Sequence, residues 1–292
     1  RNSYNVNFYV DGTKADDMTK SVKYQGKVAE PTMDIKTGYA FDGWYTDATY
    51  TAAYKFDETQ VTNNLDLYGR YIANTYTVKF DGNGATSGTM ANQTFTYDVA
   101  QKLTKNAFAK TGYTFVGWKD GSDNTYTDEQ EVMNLIAVQG GVVILTAQWT
   151  ADPIAVDISQ YVYKQYVQEY NRKDTTTFTF TAEVYPKAEI SSGSGSAVVL
   201  ANPLIDTVKG EVKIDSSKNG EVKQVTFEKT DKLSAGRYYV YITENKGTNS
   251  YITYDNSGYV LNIRVFDNER TGLEVKLIDI DKVTENGQME TT

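Results

Sequence analysis

The sequence predicts a mostly β chain, built as two tandem small modules followed by one larger β-sandwich, and three observations carry that expectation. First, Lys36-Thr37-Gly38-Tyr39-Ala40-Phe41-Asp42-Gly43-Trp44 returns as Lys110-Thr111-Gly112-Tyr113-Thr114-Phe115-Val116-Gly117-Trp118, with 74 residues from Gly38 to Gly112. A period of that size is a small domain used twice, not a thin solenoid unit. Second, 24 Tyr with abundant Thr and Val, against 4 Pro and 5 Met, favours strands, because β-branched and aromatic side chains fit a pleated, half-buried surface. Third, from Ala151 onward the repeat does not return, and alternating segments separated by turns continue to the end. At 292 residues the chain exceeds one compact β core.

The first module is assigned to residues 1–73. Tyr4 to Val10 reads as a strand ending at the Asp11-Gly12 turn, with Ser21 to Tyr24 pairing back as its hairpin partner. The aromatic stretch, in which Tyr39, Phe41 and Trp44 are flanked by glycines, puts rings on one face and leaves the glycines for turns or close backbone approach. Asp57 to Val61 suggests one helical turn before Leu65 to Tyr71 closes the sheet by alternation. The second module, residues 74–150, repeats the plan with Tyr76 to Phe80, the Asp81-Gly82-Asn83-Gly84 turn, Thr94 to Tyr97, and Val143 to Trp149. The short hinge Ala73-Asn74-Thr75 implies modules laid end to end.

Together these features resemble the Listeria-Bacteroides repeat, the B-repeat of internalin surface proteins. The resemblance rests on an opening Tyr-x-Val-x-Phe strand, a Gly-rich turn, Lys-Thr-Gly-Tyr-x-Phe-x-Gly-Trp and a closing strand that ends near Trp149, where the first copy has Tyr71. It implies a β-grasp-like module of secreted or wall-attached bacterial proteins, strung in tandem as a spacer or contact surface.

Residues 151–292 form the third expected domain, entered through the Asp152-Pro153 linker. Ser159 to Val167, Thr177 to Tyr185, Gly210 to Ile214, Glu221 to Glu228, Arg237 to Glu244, Tyr259 to Asp267 and Leu273 to Ile280 read as strands, a number that suits an immunoglobulin-like fold. Ser191 to Ser196 is a low-complexity loop.

Composition removes several function classes. Thirty-eight acidic against 29 basic residues, net −9 without a basic cluster, leave nothing to attract nucleic acid or anionic lipid. With no Cys and no His, disulfides, thiolate nucleophiles, Ser-His-Asp triads and nearly all zinc sites are excluded, and no cofactor is expected. No run is long enough to cross a membrane and no apolar leader begins at Arg1, which predicts a soluble, excised piece. A cysteine-free, Tyr- and Thr-rich acidic chain fits the exterior of a Gram-positive bacterium, on its surface or wall.

Chemistry is expected at three positions of the third domain. Lys164 lies mid-segment on the same face as Val162 and Tyr166, Glu244 ends Tyr238 to Glu244, and Asn268 ends Ile263 to Asn268. Buried together, a neutral amine beside a protonated acid can attack the carboxamide, with Glu244 shuttling the proton and ammonia leaving, which yields an amide brace. Taken singly, an exposed Lys, a surface Glu and an Asn in a turn are the more usual readings, and it is the three together that point to the bond. The set resembles the isopeptide-linkage domain of streptococcal T-antigen pilins, relatives of collagen-adhesin B-type domains, over roughly residues 154–280. The resemblance rests on Lys164 ahead of Phe178-Thr179-Phe180, on Tyr239-x-Tyr241-x-x-Glu244, and on Tyr254-Asp255 leading to Asn268. It implies Lys164 and Asn268 as linked residues and Glu244 as the catalytic acid, with Lys173 and Asp267 as substitutes should the register differ.

Three further motifs are read as structural first. Val184-Tyr185-Pro186-Lys187 resembles the pilin motif whose lysine a sortase joins to the next subunit, but Ala188 stands where Asn is usual, so an edge strand is the simpler reading. Asp120 to Glu131 has oxygen ligands at calcium-loop positions yet carries Thr125 where the central Gly belongs, which favours a solvated turn. Trp44, Trp118 and Trp149 fit a core better than a sugar platform.

The expected function is thus an extracellular stalk or adhesin segment stiffened by a Lys164–Asn268 bond. The alternatives are a module that binds a glycan or host protein, and a sortase-assembled pilus subunit using Lys187. Neighbouring domains of the same surface protein are the other expected partners.

Overall fold

The computed structural model describes residues 2–167, 173–186, 188–190, 198–200, 204–284 and 289–291. Lys187 and the Ser191 to Ser196 loop lie outside them. The chain divides into two compact units, Arg1–Ala109 with Phe115–Trp149, and Lys110–Thr114 with Thr150–Thr292. Almost all regular structure is β, joined by one short 3-10 turn among the described residues.

The first repeat is a four-stranded mixed sheet in the order Thr13–Lys23, Ser3–Val10, Leu65–Ala73, Tyr39–Tyr45. Ser3–Val10 forms a hairpin with Thr13–Lys23 across Asp11-Gly12, both at positive φ, and runs parallel to the module's last strand. An N-terminal hairpin whose first strand pairs in parallel with the closing strand is the β-grasp-like order, although irregular chain makes the crossover in place of a helix. At Asp57 to Val61 the expected helical turn is a single hydrogen-bonded turn, in which Thr59 N–H donates to the Lys55 carbonyl at 2.9 Å. The second repeat has the same order, Gln93–Thr96, Thr75–Asp81, Gly141–Ala151, Tyr113–Lys119, extended by Thr125–Tyr126.

The glycine before each tryptophan is required by the backbone. Gly43 and Gly117 both adopt φ 139°, a region that side chains avoid, and a register shift falls between Phe41 and Gly43. That kink turns the next ring inward. Trp44 is 2% exposed, with Phe8 at 4.8 Å and Phe41 at 5.5 Å between ring centroids; Trp118 is fully buried, with Phe115 at 4.9 Å and Phe80 at 5.0 Å. Trp149 is half-buried against Phe115, its indole N–H donating to the Gly82 carbonyl at 3.0 Å. Tyr71 takes that place in the first repeat, packed on Phe41, with its hydroxyl donating to the Asp34 carbonyl at 2.7 Å. The core reading therefore holds for Trp44 and Trp118, while Trp149 closes the rim.

In the second unit seven antiparallel strands form one continuous ladder: Thr226–Phe227, Asp206–Asp215, Thr175–Tyr185, Gly236–Glu244, Gly258–Asp267, Leu273–Val283, Met289–Thr291. Two short ribbons, Ile154–Ala155 with Lys232–Leu233 and Tyr163–Gln165 with Val222–Gln224, complete a sandwich-like arrangement. Buried Val156 and Ile158 join Phe178, Val240 and Ile263 in one core. The expected strand from Ser159 to Val167 begins instead as a 3-10 turn, Ser159–Tyr161, because the Asp157 carboxylate accepts the Ser159 N–H at 2.9 Å and Tyr161 N–H bonds back to Ile158. The strand there is Tyr163–Gln165, entered through an extended Val162.

Candidate functional site

The site is built where the Tyr163–Gln165 ribbon faces the end of Gly236–Glu244. Alternation turns Lys164 inward with Val162 and Tyr166, both packed against the core, while Tyr163 points to solvent. Glu244 sits opposite Phe180 in the ladder and closes its strand. The Lys164 Nζ donates to Glu244 Oε2 at 2.6 Å, with side-chain exposures of 17% and 3%, and lies 4.9 Å above the Phe178 ring. Glu244 Oε1 is buried without a hydrogen-bonding partner among the described residues.

A cleft of about 480 Å³ opens beside the pair, lined among others by Lys164, Glu244, Asp255, Ser257 and Tyr259. The Asp255 carboxylate accepts from Ser257 N–H at 2.8 Å and from the Tyr259 hydroxyl at 3.4 Å. Burial, then the neighbouring Asp255 and Glu244 charges, holds the Tyr259 phenol above its ordinary range. An adjoining cleft is lined by Lys164, Asp255, Asn256 and Thr284. A primary amine, an acid with one free oxygen among the described residues and a second carboxyl group thus line one cleft, the set that amide formation needs.

Asn268 is not part of it, and the expected Lys164–Asn268 pairing is corrected. Gly236–Glu244 and Gly258–Asp267 are antiparallel neighbours, with Thr243 opposite Gly258 and Gly236 opposite Val265. Their C-terminal ends therefore lie at opposite edges of the sheet, and Asn268 falls roughly 30 Å along the strand from Glu244 at about 3.3 Å per residue. There it builds a turn: its side-chain oxygen accepts the Thr271 N–H at 2.7 Å and its amide donates to Thr271 and Glu274. Neither substitute serves. Lys173 is exposed ahead of Thr175–Tyr185, and the Asp267 carboxylate accepts the Tyr113 hydroxyl and the Glu269 N–H.

The calcium-loop segment is a turn closed by its own donors. Asp120 accepts from Ser122 N–H at 2.8 Å, Asn124 N–H at 3.0 Å, the Asn124 amide at 3.0 Å and the Tyr126 hydroxyl at 2.8 Å. These bonds, that from the Asn124 side chain foremost, lower its carboxyl to about 2. Asp47, after Trp44, gathers the backbone N–H groups of Thr49, Thr51 and Ala52 in the same manner. The sortase motif's Lys187 lies outside the described residues.

The geometry defines a class: a mostly β chain with two tandem repeat modules and a larger β domain that holds a buried lysine–carboxylate pair. Comparison with known proteins adds that residues 4–70 and 76–138 each match the Listeria-Bacteroides repeat domain. The chain is 33% identical over 121 residues to Internalin H of Listeria monocytogenes, covering 40% of this chain and 20% of that protein. It is 26% identical over 225 residues to a protein of Evansella cellulosilytica named only as a membrane protein, covering 76% of this chain and 32% of the relative. A second Evansella protein, named as a Gly-rich membrane protein, is 29% identical over 117 residues, 40% of this chain and 13% of its own length. The chain thus spans no more than about a third of the relatives it matches.

Proposed function

We propose that the chain is an extracellular stalk or adhesin segment of a bacterial cell-surface protein, its last domain braced by an amide bond from Lys164. The buried Lys164–Glu244 pair carries this reading. It ties the entry segment of the domain to a central strand and holds the amine buried beside an acid, so a bond formed there takes the load of a pull on the N-terminal side before the sheet opens. The repeat matches and the internalin relative support the surface setting.

The carbonyl partner is Asp255, which lines both clefts with Lys164. The Lys164 nitrogen attacks the Asp255 side-chain carbon, a C–N bond forms, Glu244 passes the amine proton to the departing hydroxyl, and water leaves. Intact mass of the purified protein is then one water short, peptide mapping joins Lys164 to Asp255, and Glu244→Ala restores the full mass. Loss of ammonia instead maps the link to a carboxamide, with Asn256 the one that lines the adjoining cleft among the described residues. A full wild-type mass removes the covalent brace.

One observation favours a second reading, a glycan-binding face. Tyr9, Tyr68 and Tyr45 stand opposite one another on three adjacent strands of the first repeat, the first two stacked at 5.0 Å. The second repeat has Asp81, Thr146 and Lys119 at these places, so the fold itself does not demand the rings. Titration with neutral glycans is expected to quench tyrosine emission in the wild type and not in Tyr68→Ala; silence across a broad glycan panel sinks this reading.

A further inference from the structure

The first repeat ends in a joint with a definite anatomy. Asn74, 8% exposed, donates its N–H to the Gly38 carbonyl at 2.8 Å, and its own carbonyl accepts the Tyr97 N–H at 2.8 Å. Its side-chain amide donates to the Ala137 carbonyl at 2.7 Å. The Tyr39 hydroxyl donates to Asp98 at 2.7 Å, and the Tyr39 and Tyr97 rings meet edge to face at 5.9 Å. Gly38, at φ 78°, lies so close that an added Cβ would fall 2.2 Å from the Tyr97 ring. The Lys-Thr-Gly-Tyr corner of one repeat is thus seated in a socket made by Asn74 and the Tyr97-Asp98 turn of the next.

The first repeat carries the same socket with nothing seated in it among the described residues. Asn2-Ser3-Tyr4 corresponds to Asn74-Thr75-Tyr76. The Tyr24 N–H donates to the Asn2 carbonyl at 2.9 Å, as Tyr97 does to Asn74, and Gln25 adopts φ 63° where Asp98 adopts 59°. Asn2 is exposed and Tyr24 is 44% exposed, against a buried Asn74 and a half-buried Tyr97. Within the second unit the other copy of the corner is bonded alike: Asp152 N–H donates to the Gly112 carbonyl at 2.9 Å and the Tyr113 hydroxyl to Asp267. The corner is a recurrent donor–acceptor plug.

We infer that Asn2, Tyr24 and Gln25 form a docking surface for the Lys-Thr-Gly-Tyr corner of another repeat of this kind, so that repeats couple head to tail through a fixed joint. Gln25 offers a neutral acceptor where Asp98 offers a charged one, which makes this socket the weaker of the two. The inference stands apart from the chemistry at Lys164, which the test leaves untouched.

The test is the full chain extended by a further copy of residues 2–73, its Ala73 spliced directly to Asn2. Spin labels on the strands flanking each joint are read by pulsed distance measurement. The new joint is expected to give a distance distribution about as narrow as the native one. Gly38→Ala in the added copy, and separately Tyr24→Ser in the original first repeat, should each remove the narrow component at the new joint alone. Tyr24 is exposed in the starting chain, so its replacement spares the fold. A new joint as broad as a free tether, or one that neither substitution broadens, overturns the inference.

Discussion

Glu244→Ala lowers the unfolding free energy of the second unit by about 3–5 kcal/mol, the cost typical of leaving one member of a buried pair without its partner. The carboxylate is 3% exposed and the lysine 17%, so the variant leaves a largely buried amine without its bond at 2.6 Å, above the Phe178 ring. The double variant Lys164→Met with Glu244→Leu should recover the ionic share of that loss and none of what the amide bond contributes, because apolar groups of similar volume escape the desolvation that a charge pays there. Urea unfolding of the wild type, Lys164→Met, Glu244→Leu and the double gives the coupling directly. A single-variant loss below about 1 kcal/mol would mean that the pair behaves as a solvated surface bridge. Intact mass, run on the same samples, separates the ionic from the covalent part of the effect.

Trp118→Ala should cost about 3–5 kcal/mol in the second repeat, the range for deleting a large buried aromatic. The indole is fully buried among Phe80, Phe108 and Phe115, so its removal leaves a cavity that these rings line. Trp149→Ala should cost clearly less, since that ring is half-buried and packs on Phe115 from one side. Denaturant melts followed by far-ultraviolet circular dichroism rank the two. Equal losses, or a larger one at Trp149, would contradict the division into core and rim that the burial of the two rings draws.

Much of this architecture was readable from residue order alone. The repeat, the Asp11-Gly12 hairpin, the inward Trp44 and Trp118 and the inward Lys164 all follow from local rules: period two, turn residues, and glycine before a ring that must change face. Lys164 and Glu244 met as expected because each lies on the buried side of its own strand. Asn268 failed for a reason that the strands themselves contain. Two hairpin-linked neighbours point their C-terminal ends to opposite edges, so residues that end each strand cannot share a site. The residues that line the cleft with Glu244 lie around Gly258, and Asp255 and Tyr259 are there through register, which no single segment specifies.

Sequence by itself determined the class of structure, the duplication and the identity of the buried amine, because these depend on side-chain alternation and on short-range backbone geometry. Tertiary structure alone decided which groups line the cleft beside Lys164, where Asn268 sits, and that a glycine–tyrosine corner seats in the next repeat. Those outcomes depend on which strand edges are brought together across tens of residues, and hydrophobic pattern is nearly blind to that choice.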